Sequence, residues 1–364
     1  MSGQRHFAVL DGLRGVAALV VLCLHVMQAH HSGLPQAALA VDFFFLLSGF
    51  VVAYAYEARL RTTLCFFEFT KIRLLRLYPL IFLGTSVGIV VTAVHARLLG
   101  DISATDVVQA GVLGLLLLPG SVFPQWDTAY PMNVPAWSLF FELAINLAYA
   151  RVVRHLTTLR LVVLTGLGGA ILILLALLQG GLQTIGAGKA GFVLGFGRVL
   201  FPFAAGVLLY RLRGPVRQAP WLGALLPVGL AALLLAPLPQ NPLVDLAYVM
   251  VLFPAIVGLG ASVTVGGSVA RVCLFAGRLS YPVYITHQPF LRLAPLVEAR
   301  LHLGAVVASV LETGFCLAFA YAALRLFDEP LRAMLGAADR AAPSGWMSGG
   351  TVAPPPGPGG PGLP

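Results

Sequence analysis

Long apolar segments recur along the chain at lengths that match helices crossing a lipid bilayer. Eleven can be distinguished, at residues 10–28, 36–56, 74–95, 106–118, 135–151, 159–179, 192–210, 220–237, 243–266, 279–298 and 304–325. A helix needs about 17 to 25 residues to cross about 30 Å of hydrocarbon. Apolar residues make up 59% of the 364 positions and charged residues only 10%, so the pattern predicts an all-α, polytopic membrane helix bundle.

The basic residues decide which segments cross. The loop with Arg59 and Lys71 and the loop with Arg151 and Arg160 should both be cytoplasmic, because cytoplasmic loops retain Lys and Arg. Two loops on the same side of the membrane must be separated by an even number of crossings. Three apolar segments lie between these loops, so one of them must not cross. We predict a re-entrant or interfacial segment at 106–118, the shortest of the three, and about ten transmembrane helices with both termini cytoplasmic. The retention of Lys and Arg on the cytoplasmic side then explains the net charge of +9, and no nucleic-acid partner is expected.

A change in composition predicts the domain organisation. Residues 1–330 form a single transmembrane domain, whereas the Pro- and Gly-rich residues 331–364 cannot bury a core and predict a disordered cytoplasmic tail. The four cysteines show no CxxC pairing, so neither a metal site nor a disulfide is expected.

The first apolar segment carries two costly polar side chains, Arg14 and His25. They are eleven residues apart, which is about three helical turns, so both project from one face and lie about 16 Å apart along the helix axis. An imidazole can act as a base or a nucleophile near neutral pH, but a lone membrane histidine can equally be a satisfied helix contact.

Two carboxylates should lie at the depth of His25, near the outer surface. Asp42 is about six residues into the second segment, and Glu142 follows the start of the 135–151 segment. Either carboxylate could orient the imidazole of His25. The alternative for Asp42 is a helix cap or an ion pair with an outer arginine. Arg198 and Glu312 are further charges at the midplane, and we expect them to pair with each other.

Three further groups of polar residues are candidate binding sites. Trp137 and Ser138 lie near the outer rim, where a tryptophan is either an interfacial anchor or a platform for a sugar. Arg73 and Arg76 share one face at the inner entry of the third helix, with Tyr78 beside them, and two guanidinium groups match phosphate oxygens. Positive-inside anchoring is the alternative for this pair. Tyr281, Tyr284 and His287 repeat every three residues, which places them on roughly one helix face.

Five blocks of residues, in a fixed order, resemble the membrane-bound acyltransferase 3 family of bacterial O-acyltransferases. They are Leu10 to Gly15 with His25 eleven positions after Arg14, Val41 to Phe50, Arg73 to Pro79, Trp137-Ser138 with Glu142, and Ser280 to His287. Together they extend from residue 7 to about 330. The chain is similar to the stand-alone form, because it shows no counterpart of the extracytoplasmic esterase-like domain that some members append.

The resemblance implies an acyl-CoA donor, often acetyl-CoA, and an acceptor hydroxyl, usually on a cell-envelope glycan or its lipid-linked precursor. It implies that Arg14 and His25 are essential, that Arg73 and Arg76 lie near the donor, and that the protein lies in the bacterial inner membrane. In our hypothesis His25 deprotonates the acceptor or is transiently acylated, and Ser138, Tyr284 or His287 stabilises the thioester oxyanion. No metal is expected.

Two alternatives remain at the level of sequence. A transporter or flippase for a lipid-linked sugar would also place charges at the midplane, but it predicts internal repeats, and none is visible. An acyltransferase acting on a small natural product is the other, and the sequence does not separate it from an enzyme of the cell envelope.

Overall fold

The computed structural model describes residues 7–30, 33–214 and 217–334 and is built almost entirely from helices. The first seven helices are α1 (Ala8–Ala29), α2 (Ala40–Thr62), α3 (Phe66–Leu99), α4 (Ala104–Leu115), α5 (Ala136–Val152), α6 (Thr158–Gln179) and α7 (Gly195–Leu212). The next seven are α8 (Pro220–Leu234), α9 (Pro242–Ala247), α10 (Phe253–Ala261), α11 (Gly267–Thr286), α12 (Gln288–Leu291), α13 (Ala294–Leu301) and α14 (Ala305–Ala322).

Short irregular elements complete the chain. A 3₁₀ turn, Pro35–Leu39, leads into α2, and a π-helical turn, Tyr248–Leu252, joins α9 to α10. A second π-helical turn, Ala323–Asp328, follows α14. Two-residue strands β1 (Arg217–Gln218) and β2 (Val263–Thr264) pair in parallel.

Within the described residues, seven helical stretches are long and apolar enough to cross a membrane. They are Ala8–Ala29, Pro35–Thr62, Phe66–Leu99, Thr158–Gln179, Gly195–Leu212, Pro242–Ala261 and Ala305–Met334. The all-α polytopic architecture is therefore confirmed. Helices α5, α8 and α11 occupy the other three predicted positions, so the count of ten crossings and the orientation of the termini stay predictions.

Helix α4 is the segment that we expected not to cross. Its 12 residues extend over about 18 Å, which is well short of the hydrocarbon thickness. It packs along α3, where a Cβ added at Gly111 would meet the Ile89 side chain at 3.1 Å. Its length is what a re-entrant or interfacial segment requires.

The predicted bounds of one crossing are wrong. The crossing expected at 279–298 begins at Gly267 and ends at Thr286, because Arg271 and Arg278 interrupt the apolar window while remaining within the helix. At the other end of the domain, the helix that starts with α14 continues to Met334 and passes the expected boundary at residue 330. The predicted tail from residue 335 lies outside the described residues.

Small residues bring α1 and α11 unusually close. A Cβ added at Gly15 would lie 2.5 Å from the Ala276 Cβ, and one added at Gly277 would lie 2.4 Å from the Asp11 Cβ. Glycine and alanine at such positions allow helix backbones to approach in a membrane. This contact fixes the face of α1 that carries Arg14 and His25 against α11.

Helices α2 and α7 are equally close. A Cβ at Gly49 would lie 2.1 Å from the Phe203 carbonyl oxygen, and one at Gly206 would lie 2.0 Å from the Leu46 carbonyl oxygen. No side chain fits at either position without displacing the backbone of the neighbouring helix. Charged groups on these two helices can therefore meet without solvent between them.

Candidate active site

A cavity of about 740 Å³ lies between α1, α2, α3, α5, α11 and the segment that follows α14. It begins at the end of the bundle where α1 starts and α2 ends, which we call the basic end. Its polar lining residues are Asp11, Arg14, Ser48, Tyr54, Arg73, Arg76, Ser138, Glu142, Arg278, Ser280, Tyr281, Tyr284, Asp328, Glu329 and Arg332.

Five arginines line this cavity, and four of them pair with carboxylates. The pairs are Arg14–Asp11 at 2.9 Å, Arg73–Glu142 at 2.7 Å, Arg332–Asp328 at 2.8 Å, and Arg278 with Glu329. The fifth, Arg76, makes no ion pair with a carboxylate in the described part of the chain. It is thus the cation of the cavity that is most open to an anionic ligand.

Arg14 makes three hydrogen bonds, two of them to α11. Its Nε donates to Ser280 Oγ at 3.0 Å, and its Nη2 donates to Asp11 Oδ1 at 2.9 Å and to the Gly277 carbonyl oxygen at 2.7 Å. The carbonyl is within reach because α1 and α11 are so close. Arg14 and His25 both contact α11, so the prediction that they share one face is confirmed.

Glu142 does not approach His25. Its Oε1 accepts hydrogen bonds from Arg73 Nη2 at 2.7 Å and from Ser48 Oγ at 3.0 Å. Arg73 is itself buried. The predicted convergence of Glu142 with His25 is therefore wrong, and Glu142 binds the guanidinium instead.

Asp42 is bound to Arg198 rather than to His25. Arg198 Nε and Nη2 donate to the two carboxylate oxygens at 2.9 and 2.6 Å, and both side chains are almost fully buried. Arg198 Nη1 also donates to the Ile185 carbonyl oxygen at 2.8 Å. The predicted contact with His25 is wrong, and the alternative of an ion pair is confirmed.

The predicted pair of Arg198 with Glu312 is also wrong. Glu312 Oε2 lies 3.1 Å from His30 Nε2, at the far end of α1. Arg198 instead contacts Asp42 on α2.

The partner of His25 is His287. His25 Nδ1 lies 2.6 Å from His287 Nε2, and His287 Nδ1 lies 2.8 Å from the Val283 carbonyl oxygen. A carbonyl oxygen can only accept, so Nδ1 of His287 carries the proton and its Nε2 accepts. In the neutral pair His25 must then donate through Nδ1. The contacts leave the lone pair of His25 on Nε2.

Tyr284 and Ser138 form a second polar pair. Their hydroxyl oxygens are 2.6 Å apart, and Ser138 Oγ donates to the Pro135 carbonyl oxygen at 3.0 Å, so Tyr284 donates to Ser138. Tyr281 donates to the Leu77 carbonyl oxygen at 2.5 Å. In this arrangement the hydroxyl protons of Ser138 and Tyr284 are both already donated in hydrogen bonds within the protein. Neither is free for the oxyanion that we assigned to them.

The loop between α4 and α5 fixes the position of Ser138. The buried Tyr130 hydroxyl donates to the Leu117 carbonyl oxygen at 3.0 Å, and burial raises the pKa of Tyr130, so the phenol stays neutral. Asn133 Nδ2 donates to the Ile285 carbonyl oxygen at 2.8 Å. The start of α5 is thereby fixed beside α11.

Three expected binding residues, Tyr78, Trp137 and His287, do not line the cavity. Tyr78 turns toward α4 and donates to the Leu115 carbonyl oxygen at 2.8 Å. Trp137 is buried, packs edge-on against Phe45 and lies 5.6 Å below the Arg198 guanidinium. Trp137 therefore supports the Asp42–Arg198 pair and presents no open face to a sugar.

A family model described as an acyltransferase domain matches residues 7–324, and this range includes almost all of the site. The chain belongs to this acyltransferase family. It is therefore an enzyme and transfers acyl groups. The sequence blocks that indicated the family surround one cavity, and the His25–His287 pair lies on two of its helices.

Two curated relatives match parts of the acyltransferase. "Protein 2 in picA locus" from Rhizobium radiobacter is 38% identical over 161 residues, which are 41% of this chain and 84% of that protein. "Acyltransferase MdmB" from Streptomyces mycarofaciens is 30% identical over 167 residues, which are 42% of this chain and 41% of that protein. No solved structure matches the chain significantly.

Several residues of the acyltransferase cavity were not predicted as site residues. Arg278 and Arg332 were interpreted as topology signals, and Ser48 and Ser280 were only members of the matching blocks. A signal was available for the two serines, because a hydroxyl within an apolar helix needs a partner. Ser48 finds Glu142 and Ser280 finds Arg14.

Proposed function

We propose that this acyltransferase moves an acyl group, acetyl in the simplest case, from cytoplasmic acyl-CoA to a hydroxyl of a cell-envelope or exported glycan or glycolipid. The reaction would occur in the bacterial inner membrane. One observation carries the proposal: the cavity begins among arginines at the basic end and reaches Tyr284, three residues before the partner of His25. An anionic carrier with a long flexible arm fits this path.

The phosphates of the donor would bind at the basic end. Arg76 has no carboxylate partner, and the Nη1 group of Arg14 makes no hydrogen bond in the part of the chain that the structure describes. Guanidinium groups bind phosphate oxygens strongly because the hydrogen bonds are charge-assisted. The pantetheine arm would then carry the thioester along the cavity, past Ser280 and toward Tyr284.

His25 would act as the base through Nε2. This nitrogen takes the proton of the acceptor hydroxyl while the hydroxyl oxygen attacks the thioester carbonyl carbon. The new ester C–O bond forms, the C–S bond breaks, and the CoA thiolate leaves and takes up a proton. The same lone pair could instead accept the acyl group first, and both routes need the tautomer that His287 imposes.

The family assignment weakens the transporter alternative, because a flippase would not need the acyltransferase blocks. The small-molecule alternative stays open as a question of acceptor. The relative from Streptomyces is named as an acyltransferase without a stated acceptor, so it does not decide between them.

Mass spectrometry of envelope glycans and culture extracts, from strains with and without the gene, tests the proposed function. We expect an acyl ester that depends on the gene, with an added mass of 42 Da for acetyl. Isolated membranes should incorporate label from acetyl-CoA only when they contain the protein. If no O-acyl ester depends on the gene in either fraction, the proposal fails.

Replacing Arg76 by Ala should weaken donor binding. Loss of charge-assisted hydrogen bonds costs about 1.5–3 kcal/mol, so KM for acyl-CoA should rise about 10- to 100-fold while kcat changes little. Arg271→Ala removes an exposed arginine of α11 that does not line the cavity, and it should leave KM unchanged. Equal effects of both variants would show that Arg76 acts only through the general charge of this end.

Replacing His287 by Ala should lower kcat about 100-fold, because the His25 tautomer is no longer fixed. His287→Gln is the matched variant, since its amide oxygen can accept from His25 Nδ1. We expect Gln to retain much more activity than Ala, with KM for acyl-CoA unchanged in both. If Gln and Ala are equally inactive with the protein folded, hydrogen-bond acceptance by residue 287 is not what matters.

A further inference from the structure

One imidazole and two carboxylates meet at the end of the bundle opposite the basic end. His30 caps α1, Glu298 lies on α13 and Glu312 lies on α14. His30 Nδ1 is 3.5 Å from Glu298 Oε2, and His30 Nε2 is 3.1 Å from Glu312 Oε2. One ligand atom from each residue lies within 4.8 Å of the others.

The negative charge of this cluster is not balanced. Neither carboxylate pairs with a lysine or arginine among the described residues, so the cluster carries a formal charge of −2 when the imidazole is neutral. The three side chains are 9%, 22% and 15% exposed, and Glu298 Oε1 is buried without a hydrogen-bond partner. Carboxylates shielded from water and close together favour a nearby cation.

We propose that His30, Glu298 and Glu312 bind a divalent transition-metal ion of the Zn²⁺ class. One imidazole nitrogen with two carboxylate oxygens is a ligand set suited to such ions, whereas Ca²⁺ and Mg²⁺ prefer oxygen ligands throughout. Ligands at about 2.0–2.1 Å from a tetrahedral ion are about 3.4 Å apart. Side-chain rotations that move the ligand atoms by about 1 Å would bring them to this spacing. Water would occupy the remaining coordination positions.

A bound ion would connect α1, which holds His25, to α14, which contacts His287. His30 lies five residues after His25 on α1, and Glu312 lies one turn before Cys316 on α14. The Cys316 thiol contacts the carbonyl oxygen of His287 at 3.7 Å. The metal site is separate from the cavity, and its role would be to fix the far ends of α1, α13 and α14 relative to one another.

Metal binding by the purified full-length protein tests the proposal, with the affinity tag removed and the protein stripped by a chelator. In equilibrium dialysis we expect one Zn²⁺ per chain for the native protein. Glu312→Gln and Glu298→Gln keep the side-chain shape and should weaken binding about tenfold or more. Zinc should raise the melting temperature of the native protein and not that of these variants, and Ca²⁺ should have no such effect.

His302→Ala is the matched control, because His302 is an exposed histidine at the end of α13 and lies outside the cluster. It should bind zinc like the native protein. If the Gln variants bind zinc as tightly as the native protein does, or if the native protein binds none, then His30 only forms an ion pair with the two carboxylates and the proposal is overturned. Neither readout depends on acyl transfer.

Discussion

Replacing His25 by Ala should abolish acyl transfer while leaving folded protein in the membrane. A general base contributes about 10²- to 10⁴-fold to a rate, and no other described side chain offers an unprotonated nitrogen beside His287. The cost to stability should be limited to the unsatisfied Nε2 of His287, about 1–3 kcal/mol.

Activity in membranes and the elution profile of the purified protein measure the two effects separately. His302→Ala serves as the control, since it also removes an imidazole but lies far from the pair. A His25→Ala protein that is folded and still transfers acyl groups at the native rate would refute the assignment of the base.

Replacing Asp42 by Ala should have the largest effect on stability. It leaves the Arg198 guanidinium buried without its counter-ion, and breaking a buried ion pair from one side costs about 3–5 kcal/mol. We expect a strongly lowered melting temperature in detergent and poor recovery of folded protein.

The double variant Asp42→Ala with Arg198→Met separates structure from catalysis. It removes both charges and retains the volume of a long side chain, so much of the lost stability should return. Acyl transfer should return with it, because Asp42 binds Arg198 and does not contact His25. A stable double variant without activity would restore Asp42 to the catalytic residues.

The apolar pattern was sufficient to predict most of the fold. It placed α1, α6 and α14 within a few residues of their observed bounds, because each contains at most two charged residues. It failed for α11, where the exposed Arg271 and Arg278 lie within the helix. Hydropathy indicates which part of a helix lies in the hydrocarbon. It does not indicate how far the helix continues beyond the hydrocarbon.

The partners of the buried charges were harder to predict than their positions. Ion pairing was a correct expectation for Arg198 and one of the two alternatives for Asp42, but the position of a residue along its helix does not determine which neighbouring helix its side chain meets. The observed partners depend on close helix contacts at glycines such as Gly49 and Gly206, whose packing involves residues far apart in sequence. The His25–His287 contact likewise depends on a close helix contact, the one between α1 and α11.

The Asp42–Arg198 pair also constrains how the chain enters the membrane. The two residues are 156 positions apart, so α2 emerges from the ribosome long before α7. At about 5–20 residues per second the carboxylate waits roughly ten to thirty seconds for its partner. An unpaired aspartate disfavours insertion by about 2.5–3.5 kcal/mol at the helix centre, and by less in the first turn of α2, where Asp42 lies. Helix α2 should therefore remain at the insertion machinery, or keep Asp42 protonated, until α7 arrives.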